Sequence, residues 1–223
     1  RKQLGSGLAS LDVQTSRDSS IQAVPRAAEQ QPYDLVVLGF HHQQDIELAE
    51  RLLQAGEHHL LLIPTLQSVP QRALVCVASG EPGKDDVLFA GRLIRHLGAD
   101  ATLLSVLPGP NKDSDLYQRA ERFLEGGVQS LSILGVPSKT LIRTGATAEE
   151  ILREVNEGGY DLVVLGAPLT TSGGKISLSG VVEQVLRALD DRAILVVRSH
   201  FMRARAHPII DREREARPVN LSR

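Results

Sequence analysis

The sequence predicts an α/β fold in which a five-stranded parallel sheet carries helices on both faces. In the second half of the chain, short apolar runs alternate with stretches whose apolar residues recur at helical spacing. That alternation favours a parallel sheet, because each parallel crossover returns along a helix. A heptapeptide also recurs, since residues 33–39 and 160–166 are identical. We therefore expect two tandem copies of one fold, packed as a pseudo-dimer with a truncated first copy.

The second copy, residues 72–198, has the elements of a complete domain. Its first strand is the apolar run 72–78, which turn residues bound on both sides. A helix at 87–97 follows and is expected to stop at Gly98. The remaining predicted elements are strand 101–107, helix 115–134, strand 140–143, helix 147–157, strand 161–166, helix 179–189 and strand 193–198.

The first copy, residues 1–64, corresponds to the second half of a degenerate domain. The first copy can be aligned with the second by the distance that separates the two heptapeptides. In this alignment, residues 11–15 correspond to a strand of the second copy and residues 20–30 correspond to a helix. We expect the first copy to supply only the last three strands, and the chain to be a piece of a longer polypeptide. Residues 65–71 form a linker, and residues 199–223 are a charged tail.

The two copies are predicted to meet at their last strands. Residues 60–63 and 194–197 are both apolar, and each would otherwise be an exposed sheet edge. We expect them to lie side by side and antiparallel, as in a two-fold interface.

Composition excludes several classes of function. The formal net charge is −2, only 3% of residues are aromatic and there is no Trp, so no nucleic-acid partner is expected. No apolar run reaches the roughly 18 residues of a membrane span. The single cysteine, Cys76, permits neither an internal disulfide nor a Cys2His2 zinc site, and a reducing, cytoplasmic location is expected.

The loop at residues 166–180 is the strongest candidate for ligand chemistry. It is rich in glycines and hydroxyls, contains Lys175, and leads from a strand into a helix. Backbone N–H groups at a helix N-terminus, together with hydroxyls and one lysine, suit a phosphate. The alternative is a connector in which Ser179 only caps the helix. The loop is not a Walker motif, because Ile176 follows Gly174-Lys175.

The chain resembles the universal stress protein family. The resemblance is carried by the order of elements, the Thr144-Gly145 turn, the heptapeptide strand, the helix at 179–186 and the closing strand 193–198. It covers residues 72–198 as a full domain and residues 8–64 as half of another. It implies an adenine nucleotide alpha hydrolase-like fold and dimers formed through the last strand. Members of this family fall into an ATP-binding branch and a branch that does not bind ATP, and the resemblance implies that the chain belongs to one of the two.

The ATP-binding branch carries Gly-x-x-Gly, nine residues and Gly-Ser/Thr in this loop, and an Asp at the end of the first strand. Here Gly166 matches, but Leu169 replaces the second Gly and Ala78 replaces the Asp. ATP binding in the usual mode is therefore expected to be weak or absent, whereas another nucleotide or a small anion remains open. The candidate binding residues are Ala78, Ser79, Gly80, Thr144, Gly145, Gly166, Gly173, Gly174, Lys175, Ser179 and Gly180.

Other chemical candidates favour structural roles. The histidine pairs at 41–42 and 58–59 are interpreted as surface polar residues, because adjacent histidines point apart and lack other metal ligands. Cys76 is expected to be an inert core thiol. The acidic pairs at 85–86 and 149–150 fit the first turns of helices. We expect no catalytic residues, no metal and a solvated charged tail.

These observations favour a non-catalytic regulatory stress-response module with a nucleotide or small anion as its ligand. Residues 164–169 and 198–200 also resemble the cytosolic tails of cation/proton antiporters, so an attached transmembrane transporter domain is a candidate partner, which would place the chain at the cytoplasmic face of the membrane. A homodimer is expected. The alternatives are an ATP-binding protein with weak ATPase activity, for which Glu81 is the nearest carboxylate, and a purely structural dimerisation module.

Overall fold

The computed structural model describes residues 15–39, 44–64, 68–78, 82–109, 114–168, 171–172, 175–176, 178 and 180–199. Its helices are α1 (Ser20–Gln30), α2 (Gln44–Ala55), α3 (Pro82–Leu97), α4 (Asp115–Ile133), α5 (Thr147–Gly158) and α6 (Val181–Ala188). Its strands are β1 (Leu35–Gly39), β2 (His59–Ile63), β3 (Arg72–Cys76), β4 (Asp100–Leu107), β5 (Ser138–Thr144), β6 (Leu162–Pro168), β7 (Thr171–Ser172), β8 (Lys175–Ile176) and β9 (Ala193–Ser199).

The main sheet has seven strands rather than the expected five, in the order β1-β2-β9-β6-β3-β4-β5. The five strands of the second copy are mutually parallel, as predicted. The expectation of five was wrong because β1 and β2 join the same sheet through the edge of β9. An apolar edge strand left unpaired would present free N–H and C=O groups to another chain.

The antiparallel pairing of β2 with β9 is confirmed. Leu61 lies opposite Leu195, and Leu60 and Leu62 lie opposite Val196 and Ile194. Contacts at the ends of the two strands reinforce the ladder. The Arg198 backbone N–H donates to Nδ1 of His59 at 3.0 Å, and Nη1 of Arg198 donates to the Leu53 carbonyl at 3.1 Å.

Two apolar cores cover the faces of the sheet. One lies under α1, α2, α5 and α6 and includes Leu62, Val163 and Val196. The other lies under α3 and α4 and includes Val164 and Leu195. Successive residues of β6 and β9 thus enter opposite cores, which explains why these strands are continuous apolar runs rather than alternating ones. The first core is shared by both copies.

The predicted element boundaries agree closely with the structure, with one clear exception. Helix α3 begins at Pro82, five residues before the predicted start at residue 87. Helix α4 begins where predicted, because the Ser114 side chain accepts from the Tyr117 N–H at 3.2 Å as an N-cap. Helix α2 had not been delimited from the sequence. Residues 11–14 of the predicted strand and the tail beyond residue 199 lie outside the described residues, and Thr15 is not part of a strand.

Among the described residues, no helix is both long enough and apolar enough to span a membrane.

Candidate functional site

A cavity of about 550 Å³ opens at the carboxyl ends of β3, β4 and β6. This is where the strand order reverses, because the chain runs from β3 outward to β5 and then returns to β6 on the other side of β3. Ligands of open parallel sheets bind at such a switch point. The lining residues are Cys76, Val77, Ala78, Leu104, Ser105, Val106, Leu107, Pro108, Leu116, Thr147, Ile151, Leu165, Gly166, Gly180, Val181 and Val182.

Most of the side chains that line the cavity are apolar. They include Leu104, Val106 and Leu165 from three neighbouring strands and Ile151 from α5. Ser105 and Thr147 are the polar side chains in this lining. Such a surface suits an apolar or planar group better than a highly charged one.

Helix N-termini border the cavity. Leu116, Thr147 and Val181 line it from the first turns of α4, α5 and α6. The backbone N–H groups of a first helical turn have no partner within the helix, and the helix dipole favours negative charge there. The site therefore combines an apolar interior with a rim that suits an anion.

Gly180 places α6 at this rim. It is the N-cap residue, with φ 67° and ψ −129° and no side-chain cap. A Cβ added there would meet nothing within 4 Å. Glycine is therefore favoured by the backbone conformation and not by steric crowding.

The structure brings together only part of the predicted binding set. Ala78, Gly166 and Gly180 line the cavity together. Lys175 belongs to β8, and only its backbone is described. Residues 79, 80, 81, 169, 173, 174 and 179 lie outside the described residues.

Thr144 and Gly145 lie beside the cavity without lining it. The Gly145 N–H donates to the carbonyl of the lining residue Leu107 at 2.9 Å. Gly145 has φ 148°, and a Cβ there would lie 2.9 Å from Oε1 of Glu150. Thr144 and Gly145, which we expected on the rim of the site, thus lie next to it. The absence of a side chain at Gly145 allows close packing against α5.

The loop predicted as a phosphate cradle contains two short paired strands, β7 and β8. Thr171 and Ser172 pair antiparallel with Ile176 and Lys175. Just beyond β8, the buried Leu178 donates its N–H to Oε1 of Glu50 at 3.1 Å. Glu50 belongs to α2, so a helix from the first half of the chain contacts the segment that leads into α6. No pattern in the sequence predicts this long-range contact.

Cys76 is a half-buried residue of the cavity wall. Burial raises the pKa of its thiol far above the ordinary range, because the thiolate would be poorly solvated. The thiol is therefore protonated at neutral pH, which agrees with the predicted unreactive role.

Sequence reasoning missed the contribution of β4 and of the helices. Ser105 and Val106 come from the end of β4, and Leu116 and Ile151 from α4 and α5. The β4 residues could have been predicted from the sequence, because the carboxyl ends of all strands next to the switch point face the same crevice. The helix residues could be placed only once their helices were packed.

The interpretation of residues 58–59 as surface polar residues was wrong for His58, which is buried. Burial and the charge of Arg198 lower its pKa. His59 is half-buried, and its ring lies 3.7 Å from that of Phe89. The described residues contain no group of three or more His, Cys, Asp or Glu that could hold a metal.

The fold is similar to several solved structures. A universal stress protein from Archaeoglobus fulgidus has a TM-score of 0.61 at 15% identity, covering 81% of this chain and 66% of its own. A putative universal stress protein from Pseudomonas aeruginosa has a TM-score of 0.59 at 18% identity, covering 82% and 69%. A universal stress protein solved in complex with cAMP has a TM-score of 0.50 at 17% identity, covering 60% and 100%.

No curated protein matches the chain significantly. The model of the universal stress protein family matches residues 70–198, which is more than half of the sequence and includes every strand that borders the cavity. The chain belongs to the universal stress protein family.

Proposed function

We propose that this chain is a non-catalytic regulatory module of the stress response that binds an adenine nucleotide or a similar small anion in the cavity of the second copy. The observation that carries the proposal is the cavity at the switch point between β3 and β6, with helix N-termini on its border. A structural neighbour with the same fold was solved with cAMP bound. A compact cyclic monophosphate matches an apolar cavity whose rim of helix N-termini can accept one negative charge.

The lining favours a monophosphate over ATP. The base would rest against apolar side chains such as Val106 and Leu165, while the phosphate would face the first turns of α5 and α6. Ala78 offers no carboxylate to accept a hydrogen bond from adenine or ribose. Binding thus depends on shape and on a single charge, so we expect modest affinity.

Calorimetric titration with cAMP, AMP and ATP tests the proposal. Ala78→Phe should abolish binding, because Ala78 is an exposed residue at the mouth of the cavity and the ring would fill it. Val69→Phe is the matched control, since Val69 is exposed and does not line the cavity. Absence of binding by the unmodified protein, or equal binding by Ala78→Phe, would contradict the proposal.

Lys175→Ala asks whether the lysine contacts the phosphate. Loss of a charged hydrogen bond should weaken binding about ten- to a hundredfold. Unchanged affinity would remove Lys175 from the site while leaving the cavity proposal intact.

We also propose that the two copies form a tandem pseudo-dimer in which only the second binds ligand. The antiparallel pairing of β2 with β9 supports this arrangement, and residues 41–44 replace the whole ligand loop in the first copy. Because β2 occupies the outer edge of β9, a homodimer of the chain would use another surface. Light scattering during gel filtration measures the oligomeric state of the chain.

Regulation of a membrane transporter is the proposed output. The support is the resemblance of residues 164–169 and 198–200 to antiporter tails. Sequence of the gene upstream of Arg1 tests it, because about ten apolar spans of transmembrane length would support attachment to a transporter. An upstream region that encodes only soluble domains would contradict it.

The module is proposed to lack hydrolytic activity. Phosphoryl transfer requires a positioned nucleophile, a cation clamp and usually a carboxylate-bound metal. Protein incubated with ATP and magnesium should release phosphate no faster than the double variant Glu81→Gln, Lys175→Ala. Turnover that disappears in that variant would favour the ATPase alternative.

A further inference from the structure

The repeated heptapeptide occupies two different environments in this molecule. In the second copy, β6 lies between β9 and β3, inside the sheet. In the first copy, β1 pairs with β2 on one side and is the terminal strand of the sheet on the other. The position beside β1 that corresponds to β3 is therefore an open sheet edge within the described part of the chain.

Equivalent side chains show how much of this edge is uncovered. Tyr160 is 2% exposed, whereas the equivalent Tyr33 is 42% exposed. Val164 is fully buried, whereas the equivalent Val37 is 56% exposed. Identical residues in an identical strand thus differ in burial, because within the described ranges a further strand and its helix lie beside β6 but not beside β1.

The second copy also shows how the neighbouring strand is held. It runs parallel to β6, with Val75 opposite Val164. Oδ2 of Asp161 accepts the backbone N–H groups of Gln71 and Arg72 at 3.0 and 3.1 Å. The Arg72 guanidinium lies over the Tyr160 ring, 5.2 Å from its centre.

The first copy repeats the recognition groups of this arrangement. Asp34 is exposed at the position of Asp161. Its carbonyl accepts from His59 N–H at 2.9 Å, as the Asp161 carbonyl accepts from Ala193 N–H at 3.1 Å, so the two strands enter the sheet in the same way. A strand placed beside β1 would meet a carboxylate and a tyrosine in the places where β3 meets them.

We propose that the outer edge of β1 is a docking site for one extended apolar strand of a partner polypeptide, which enters parallel to β1. The partner segment resembles β3: it has about four consecutive apolar residues, preceded by two backbone N–H groups that Asp34 accepts. Pairing satisfies the edge hydrogen bonds and covers Val37. This proposal concerns the first copy and is independent of ligand binding in the second.

A synthetic peptide with the sequence of residues 68–78, carrying Cys76→Ser and a fluorescent label, is the probe. We expect saturable binding to the intact chain by fluorescence anisotropy. Hydrogen exchange of the amides of β1 should slow when the peptide is bound. A peptide methylated on the backbone nitrogen of Arg72 should bind more weakly, because it lacks one N–H group for Asp34.

Two surface variants locate the site. Val37→Lys should lower the affinity for the peptide at least tenfold, because a charge replaces the apolar neighbour of the docked strand, and Asp34→Ala should lower it about tenfold through loss of a charged acceptor. Val69→Lys is the matched control, since Val69 is also 56% exposed, and should bind normally. Circular dichroism checks that all three variants are folded.

No binding, or equal binding by Val37→Lys and the unmodified chain, would overturn the proposal. A concentration-dependent dimer of the chain that Val37→Lys abolishes would also overturn it, because a second copy and not a foreign strand would then occupy the edge.

Discussion

At the scale of single residues, burial of His58 is expected to make stability depend on pH near neutrality. Its Nε2 is buried with no hydrogen-bond partner among the described residues. The Arg198 guanidinium, from β9, and burial both oppose its protonation and lower its pKa. Because the unfolded chain binds a proton with a pKa of about 6.5 and the folded chain binds it less well, stability should fall as pH drops below about 6.5. Above that pH, the His58 side chain is neutral in both the folded and the unfolded chain.

Denaturant unfolding at pH 5.5 and 7.5 measures this effect. His58→Gln should lessen the loss of unfolding free energy between the two pH values. His96→Gln is the control, because His96 is exposed near the end of α3, and it should leave the pH dependence unchanged. An identical pH dependence in His58→Gln and the unmodified chain would show that His58 does not contribute.

At the scale of elements, the start of α6 depends on a backbone conformation that only glycine adopts readily. Gly180 has φ 67° and ψ −129°. Gly180→Ala should therefore destabilise the protein by about 1–3 kcal/mol and weaken ligand binding, although the added Cβ meets no atom. Gly126→Ala is the control, since Gly126 lies within α4 with open space around it, and should stabilise by about 0.5–1 kcal/mol. Thermal unfolding of both variants gives the comparison, and equal shifts of Tm would contradict the argument.

At the scale of the whole molecule, we expect the two copies to unfold as a single cooperative unit, because one sheet and one core join them. Leu62 of β2 is fully buried in the core that also contains Val163 and Leu186 of the second copy. Leu62→Ala should cost about 2–5 kcal/mol, because it leaves a cavity in this shared core. Ile133→Ala should change stability by no more than about 0.5 kcal/mol, since Ile133 is almost fully exposed at the end of α4.

Hydrogen exchange distinguishes cooperative from independent unfolding. In Leu62→Ala, exchange should accelerate in β4 and β5 as well as in β1 and β2. Acceleration confined to the first copy would show that the two copies unfold separately.

The sequence by itself determined the α/β class, the strands of the second copy and the pairing of β2 with β9. Continuous apolar runs, helical spacing and an exact repeat can all be read directly from the sequence. Each copy also ends in an apolar edge strand, and the two edge strands can satisfy their backbone hydrogen bonds by pairing with each other. The sequence also placed Ala78, Gly166 and Gly180 near one cavity, because strand ends in a parallel sheet converge.

Tertiary structure alone decided how residues distant in the chain meet. The bond from Leu178 to Glu50, the burial of His58 and the lining contributed by Leu116 and Ile151 all depend on how helices pack, which no periodicity encodes. The strongest example is the heptapeptide, which is one sequence in two environments. Tyr160 is buried and Tyr33 is exposed because burial depends on the neighbouring strand and helix, and among the described residues these cover Tyr160 but not Tyr33.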